Sequence, residues 1–146
     1  MLELDEIFYN ALTADTTIAS DTGGRIFSTC VEVPPADADN TPLPYVVITD
    51  DGLQNEQGTK DSVWESSEDH VQASIIINAE SPKAVKRLTR LARKAISTYI
   101  ESLTGEIPYL TSLSTQGVAW DWTKPCYYLT LQYQCDIINE DDEQEN

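Results

Sequence analysis

The sequence predicts an α+β fold, in which two helices pack on one face of a mostly antiparallel sheet that carries a long hairpin arm. Two segments with apolar residues at helical spacing are the first observation behind this prediction. The second is an alternation of apolar and polar residues in two other segments, which is typical of strands buried on one side. We expect one domain over residues 1–138, followed by an acidic disordered tail over residues 139–146.

The first part of the chain contains a helix and two strands. Apolar residues recur at helical spacing from Leu2 to about Thr13, and a short turn is expected over residues 16–20. After the paired glycines of "DTGGR", the segment "RIFSTCVEV" is rich in β-branched and aromatic residues and is predicted to be a strand. The proline-rich loop "PPADADNTPLP" separates it from a second, apolar strand, "YVVIT".

A polar, acidic segment over residues 50–70 follows the second strand. It contains Gly52 and Gly58 and few apolar residues, so we expect a long hairpin arm that is mobile in the free subunit and ordered on a partner. Val63 and Trp64 are the apolar exceptions and are predicted to anchor the arm. The next segment, "VQASIIINAE", alternates apolar and polar residues and is predicted to be a half-buried strand.

The second half is dominated by the helix predicted for "SPKAVKRLTRLARKAISTYIE". Ser81 is a favourable N-cap, Pro82 is tolerated at the first helical position, and Gly105 follows the expected end near Leu103. Beyond it, "IPYLTSLSTQG" is predicted to be irregular and "VAWDW" to be a strand. The last strand, "CYYLTLQYQCDIINE", alternates clearly, with the odd-numbered residues from 129 to 137 facing inward.

Positive charge is concentrated on this long helix. Nine residues of the chain are Lys or Arg, and six of them lie here: Lys83, Lys86, Arg87, Arg90, Arg93 and Lys94. The segment 81–101 has six basic residues and one acidic residue, whereas the whole chain has a net charge of −16. The basic stripe is predicted to lie opposite the apolar face of the helix. Our hypothesis is a contact with acidic residues of a neighbouring copy, and the alternatives are a DNA site and an ordinary solvated face.

Composition limits the functions that remain. With 146 residues and 40% hydrophobic residues, the chain is long enough to bury a core. Its acidity disfavours a general affinity for nucleic acid or anionic lipid, because phosphates would be repelled. No apolar run approaches the roughly 20 residues that a membrane helix needs. The start, "MLELDEIF", does not have the pattern of a secretory signal, so we expect a soluble protein in a cytoplasm.

No pattern for catalysis or for a cofactor is present. The single histidine, His70, is expected to be an exposed loop residue rather than a member of a triad. Four Cys and His residues in all, without motif spacing, do not predict a zinc site, and "DADN" and "TGGR" fail the calcium-loop and phosphate-loop patterns. We expect three reduced thiols, no metal, no cofactor and no enzymatic activity. Trp120 and Trp122 are candidates for packing against a helix or a partner.

The order of these elements, together with "GGRIF" and "PLPYVVI", resembles the tail terminator, or tail completion, proteins of long-tailed phages and prophages. The resemblance covers roughly residues 2–138. It implies a small α+β subunit that forms a ring, usually a hexamer, and acts as a structural protein in the neck of the virion. Such a ring caps the tail tube protein and joins it to the head connector or head-closure protein. DNA passes through its centre without specific binding.

The resemblance implies no catalytic residues and places assembly in the cytoplasm of a bacterial host. Two alternatives stay open. The first is another neck or tail component, such as a head-closure or minor tail protein. The second is an unrelated small binding module that uses Trp120 and Trp122.

Overall fold

The computed structural model describes residues 4–28, 42–57, 67–103, 110–115 and 117–138. The elements in these ranges are α1 (Leu4–Ala14), α2 (Thr16–Thr22), β1 (Ile26–Ser28), β2 (Tyr45–Gln57), β3 (Ser67–Ala79), α3 (Pro82–Ser102), β4 (Leu110–Thr115), β5 (Ala119–Asp121) and β6 (Cys126–Ile138). They form an α+β fold, as predicted. The described strands make a single sheet in the order β1-β2-β3-β6-β4, and β5 pairs with the start of β6.

The sheet is mostly antiparallel, which confirms the prediction. Only the pairing of β1 with β2 is parallel among the described strands, and β3 pairs antiparallel with both β2 and β6. A parallel pair needs a crossover of a dozen or more residues, and the chain between Ser28 and Tyr45 is long enough to supply it. The strand order places the long strands β2, β3 and β6 at the centre of the sheet.

The long hairpin of β2 and β3 confirms the predicted hairpin arm. Its ladder runs from Tyr45 opposite Asn78 to Gln57 opposite Ser67, with a register shift near Gly52, whose φ is 113°. We predicted only "YVVIT" as the second strand and assigned the polar residues 50–70 to the hairpin arm. Backbone pairing does not require apolar side chains, so the ladder continues through the polar residues. Val63 and Trp64 lie outside the described residues.

One core joins the helices to one face of the sheet, as expected. Phe8 and Leu12 of α1, Ile96 of α3 and Ile75 and Leu131 of the central strands are all at most 2% exposed and belong to one cluster. The inward-facing residues of β6 include Leu129, Leu131, Tyr133 and Cys135, which confirms the predicted alternation as far as residue 135. Burial of these side chains is the main force that holds α1 and α3 against the sheet.

Two predicted irregular segments are regular in the structure. The turn expected over residues 16–20 is the helix α2, because Asp15 caps it by accepting from the backbone N–H groups of Thr17 and Ile18, both at 3.0 Å. The segment "IPYLTSLSTQG" contains β4, which pairs with β6. A register shift between Ser112 and Ser114 interrupts the period of two, and this explains why the pattern of a strand was not recognised.

The two motifs "GGRIF" and "PLPYVVI" meet in the structure. Arg25 donates from Nε to the backbone oxygens of Pro42, at 3.0 Å, and of Pro44, at 3.3 Å. The backbone N–H of Val46 donates to the Arg25 carbonyl at 3.0 Å, where β2 begins beside β1. Gly23 ends α2 in the left-handed region, with a φ of 63°, and a side chain there would also collide with the Arg25 guanidinium. These residues fix the parallel β1–β2 pair, so a structural role explains both motifs.

Candidate subunit and partner interface

The basic residues are positioned by the capped, amphipathic helix α3. Ser81 accepts a hydrogen bond from the backbone N–H of Ala84 at 3.1 Å, and Pro82 occupies the first turn. Val85, Leu88 and Ala92 are among the residues that α3 buries against the sheet and the other helices. All six basic residues are exposed, as predicted from the helical spacing: Lys83, Lys86, Arg87, Arg90, Arg93 and Lys94.

The six residues lie on one exposed arc of the helix but have different neighbours in the structure. On the side of β6, Lys83, Lys86 and Arg90 line a concavity with Thr89 and Leu129, whose volume is about 370 Å³. Arg93 lies on the same side. We call Lys83, Lys86, Arg90 and Arg93 the basic flank. Because α3 packs over β3 and β6, this flank runs beside β6, the last strand in the sequence and an inner strand of the sheet.

Arg93 connects the basic flank to β6. Its guanidinium lies near the hydroxyl of Tyr133, a residue that is only 7% exposed. Burial raises the pKa of Tyr133, and the nearby positive charge of Arg93 acts in the opposite direction. Tyr133 also packs edge-on against Phe8 of α1, with ring centroids 5.2 Å apart. The position of Arg93 is therefore tied to the core.

Arg87 lies on the other side of α3 and has a partner within the same subunit. Its guanidinium forms an ion pair with the carboxylate of Asp21 on α2. The two side chains are 53% and 27% exposed, so the pair is accessible to solvent. The hypothesis of one uniform basic stripe did not anticipate this contact. Arg87 links α3 to α2 in the folded subunit, whereas the basic flank faces away from α2.

Lys94 borders a different groove from the basic flank, although it lies one helical turn after Arg90. It lines a groove of about 470 Å³ with residues of α1, α2 and α3, among them Ala14, Asp15 and Tyr99. Arg93 and Lys94 are adjacent in the sequence but point about 100° apart around the helix. They lie at nearly the same height on the helix and line different concavities.

The two tryptophans form an exposed aromatic group at the turn between β5 and β6. Trp122 is 87% exposed and Trp120 is 37% exposed, and their ring centroids are 6.0 Å apart in an edge-on arrangement. Trp120 also contacts Tyr127 edge-on, at 4.7 Å. β5 ends at Asp121, so Trp122 lies in the turn rather than on a strand face shared with Trp120. This group is a second candidate surface for a partner.

Asp121 shapes the turn that presents Trp122. Its Oδ1 accepts from the backbone N–H of Thr123 at 2.9 Å, from the Thr123 hydroxyl at 2.6 Å and from the backbone N–H of Lys124 at 3.4 Å. The hydrogen bonds of Thr123 are the main cause of a lowered Asp121 pKa. An aspartate that binds its own following backbone is a common way to fix a tight turn.

Within the described ranges, the structure contains no group of three or more His, Cys, Asp or Glu residues that could hold a metal. Cys126 and Cys135 are buried and neither is in a disulfide, which confirms the expectation of at least one buried thiol. Burial is the first cause of a raised Cys126 pKa, so this thiol is a poor nucleophile. None of the helices in the described part of the chain is long and apolar enough to cross a membrane.

Comparison with protein-family models finds no match, and comparison with curated proteins finds none either. Among solved structures, the fold is similar to that of a chain in the structure described as the virion of a native gene transfer agent (GTA) particle, with a TM-score of 0.57. The similarity covers 93% of this chain and 95% of that chain, at 15% sequence identity. The two chains therefore share a fold over nearly their whole lengths.

Proposed function

We propose that the chain is a structural protein of a phage or phage-like virion. More narrowly, we propose a neck protein whose copies form a ring that caps the tail tube and joins it to the head connector. The observation that carries this proposal is the fold shared with a chain of a GTA virion over 93% of one chain and 95% of the other. Because the match covers nearly all of both chains, it indicates a shared fold of the whole subunit rather than one shared supersecondary motif.

The resemblance to tail terminator proteins supports the narrower form of the proposal. It depends on the order of elements and on "GGRIF" and "PLPYVVI". Arg25 joins these two motifs through its hydrogen bonds to the carbonyls of Pro42 and Pro44. The motifs therefore work as one structural unit at the edge of the sheet, and an active site is not needed to explain them. We also propose that the protein is not an enzyme and needs no cofactor.

The size of the subunit is compatible with a ring around DNA. A domain of this length has a radius of gyration of about 15 Å and hence a diameter of about 40 Å. Six equal spheres in a closed ring leave a central opening about one sphere wide, which is again about 40 Å by the same scaling. A DNA duplex fits such an opening. The net charge of −16 would repel phosphates, so DNA could move through the ring without binding to it.

The basic flank is the subunit contact that we propose. Identical acidic subunits repel one another unless their charge is segregated, and four exposed basic residues gathered on one side of α3 provide that segregation. A contact between this flank and an acidic surface of the next copy is head-to-tail, the type of contact that closes a ring. Val63 and Trp64 belong to the same proposal as anchors of the arm on a partner. Arg87 is the least suited of the six, because it pairs with Asp21 within the subunit.

Electron microscopy of the purified protein, alone and mixed with tail tubes, tests the proposal. We expect closed rings of six copies, free in solution or at the ends of tubes, and light scattering gives the mass of the free form. Duplex DNA should not be retarded in a gel at physiological salt. A strict monomer that also ignores purified tubes would contradict the ring. Retardation of DNA that is lost on Arg90→Glu would identify the basic flank as a DNA site.

The exposed aromatic group favours a second candidate, a small binding module. A tryptophan that is 87% exposed beside a second exposed tryptophan is unusual on a free surface, and tryptophan is enriched at the centres of interfaces. Such a module is expected to be a monomer or dimer, so its mass distinguishes it from a ring. A head-closure or minor tail protein would also assemble, but it would bind the connector or the tail tip rather than the end of the tube.

A further inference from the structure

Trp122 presents a large apolar side chain to solvent on a turn that is held in place. It is 87% exposed, and Trp120, at 37%, is the other large hydrophobic residue that the described ranges leave exposed. The turn is fixed because Asp121 Oδ1 accepts hydrogen bonds from Thr123 and from the backbone of Lys124. An indole on a fixed turn loses little conformational freedom when it is buried, and burying it removes about 150–250 Å² of surface from water.

The groove between the three helices has the size and the lining for such a side chain. We call it the helical groove; it is formed by α1, the start of α2 and the second half of α3, and its volume is about 470 Å³. The small side chains of Ala11, Ala14 and Ala95 leave the space open, and Leu91 and Tyr99 give it an apolar wall. The volume falls in the range of about 300–1,000 Å³ that pockets for small molecules have, so an indole ring fits.

Polar groups of the helical groove complement those at Trp122. Lys94 lines the groove and is exposed, so its ammonium can approach the face of an indole or the carboxylate of Asp121. Asp15, on the other wall, makes its two capping hydrogen bonds with Oδ1, so Oδ2 can accept the indole N–H. The groove therefore offers a cation for the carboxylate beside Trp122 and an acceptor for its N–H donor.

Trp122 cannot reach the helical groove of its own subunit. Its turn lies before Cys126, at the start of β6. β6 and α3 run in the same direction, because Leu129 lines a concavity with the first half of α3 and Tyr133 lies near Arg93. From Cys126 to Tyr133 the strand advances seven residues, or about 23 Å, and the groove begins at about this level of α3 and continues toward its end. A tryptophan side chain does not span this distance, so the contact must join two molecules.

We propose that Trp122 of one copy inserts into the helical groove of a second copy of this chain. Because the chain has a net charge of −16, two copies repel one another wherever no complementary surfaces meet, and the turn and the groove are complementary in size, apolar character and charge. They are different surfaces toward opposite ends of α3, so the contact is head-to-tail and leaves each copy a turn and a groove for its two neighbours. The contact rests on the proposed function only for the closure of a ring, to which it adds an apolar anchor.

Photochemical cross-linking from position 122 tests the contact in the full chain. The substitution Trp122→p-benzoylphenylalanine keeps a large aromatic side chain on the turn, and on illumination this side chain bonds to C–H groups that it touches. Copies with two isotopic labels are mixed over a range of protein concentrations, and mass spectrometry identifies the linked residues and their labels. We expect links to Leu91, Ala95 or Tyr99, including links between different labels. Links to Leu129 in the basic flank instead, links found only within one label, or no links at all would overturn the proposal.

Matched variants of the helical groove give a second test. Thr98 and Ser97 are neighbours and both are exposed on α3, but of the two only Thr98 lines the groove. Thr98→Phe fills the groove, so it should remove the links and weaken self-association in sedimentation by about 30-fold, the effect of losing a central interface tryptophan. Ser97→Phe should leave both unchanged.

Trp122→Ala should weaken self-association as much as Thr98→Phe does, without a change in Tm, because an exposed side chain contributes little to the fold. The double variant Trp122→Ala with Thr98→Phe should be no weaker than either single variant, since both remove one contact. If the two losses add, the residues act at separate contacts and the proposal fails.

This contact and the proposed function can fail separately. If links between labels form at the helical groove but electron microscopy shows no rings and no binding to tail tubes, the proposed function fails and the contact stands. If rings form and are weakened by Arg90→Glu but not by Trp122→Ala, the contact fails and the proposed function stands.

Discussion

Reversing the charge of Arg87 and of Arg90, one at a time, separates the internal ion pair from the proposed subunit contact. Arg87 pairs with Asp21, and the side chains are 53% and 27% exposed. A pair of this exposure contributes about 0.2–1 kcal/mol, and a reversed charge adds a repulsion of similar size, so Arg87→Glu should destabilise the subunit by about 1 kcal/mol. For a domain of this size, that lowers Tm by about 2–4 °C. Arg90→Glu, on an exposed face, should change stability by less than about 0.5 kcal/mol.

The assay combines thermal unfolding with assembly. Circular dichroism gives Tm in 0.1 M and in 1 M salt. The lowering of Tm by Arg87→Glu should be smaller at the higher salt, because the screening length falls from about 10 Å to about 3 Å. The matched control is the swapped pair Asp21→Arg with Arg87→Glu, which restores the attraction and should recover most of the lost Tm. Ring formation should be weakened more by Arg90→Glu than by Arg87→Glu, because Arg90→Glu removes a positive charge of the basic flank.

Two results would refute this reasoning. If Arg87→Glu and Arg90→Glu lower Tm equally, the ion pair with Asp21 contributes nothing specific to the fold. If the swapped pair remains as unstable as Arg87→Glu alone, the loss comes from the helix itself rather than from the pair. A third outcome bears on the interface: if Arg90→Glu assembles at the same concentration as the original chain, the basic flank is an ordinary solvated face.

Three further predictions concern the fold. Leu131→Ala, at a position that is 0% exposed, should cost about 2–5 kcal/mol in urea unfolding, whereas Leu131→Met should cost less than about 1.5 kcal/mol. Asp121→Ala should destabilise the β5–β6 turn by about 1 kcal/mol and Asp121→Asn by less. Because the pKa of Asp121 is lowered from 3.8, its contribution is present above that pH and fades as pH falls below it in acid titrations. Cys126 and Cys135 should react with a thiol reagent only as fast as the subunit unfolds, since both are buried.

Much of the fold could be predicted because the residues that decide it lie close together in the sequence. The start of α3 depends on Ser81 and Pro82, and its buried face follows from spacing alone. The alternation in β3 and β6 fixed which side faces the core, because a shift by one residue would turn every side chain to the other face. These two signals, with the helix α1, were enough to predict the class of the fold and the side of the sheet that the helices cover.

The features that sequence reasoning missed have a different origin. The ion pair of Arg87 with Asp21 joins residues 66 positions apart, and only the packing of α2 against α3 brings them together. β4 was missed because a register shift near Ser112 breaks its alternation. The hairpin arm was predicted without the bounds of its strands, because its polar residues give no alternation and backbone hydrogen bonds stabilise the ladder between Gly52 and Gln57. In each case the decisive contact is distant in sequence or belongs to the backbone.

The division of the basic residues changes how the charge pattern should be understood. A uniform stripe would attract any acidic surface from any direction, and would not select one orientation of a neighbour. The structure assigns Arg87 to an internal pair with α2 and directs Lys94 toward α1, which leaves the positive charge of the basic flank on one side only. A one-sided positive surface on an otherwise acidic subunit is directional. It can dock a neighbour in one orientation, and the resulting head-to-tail contact repeats around a closed ring.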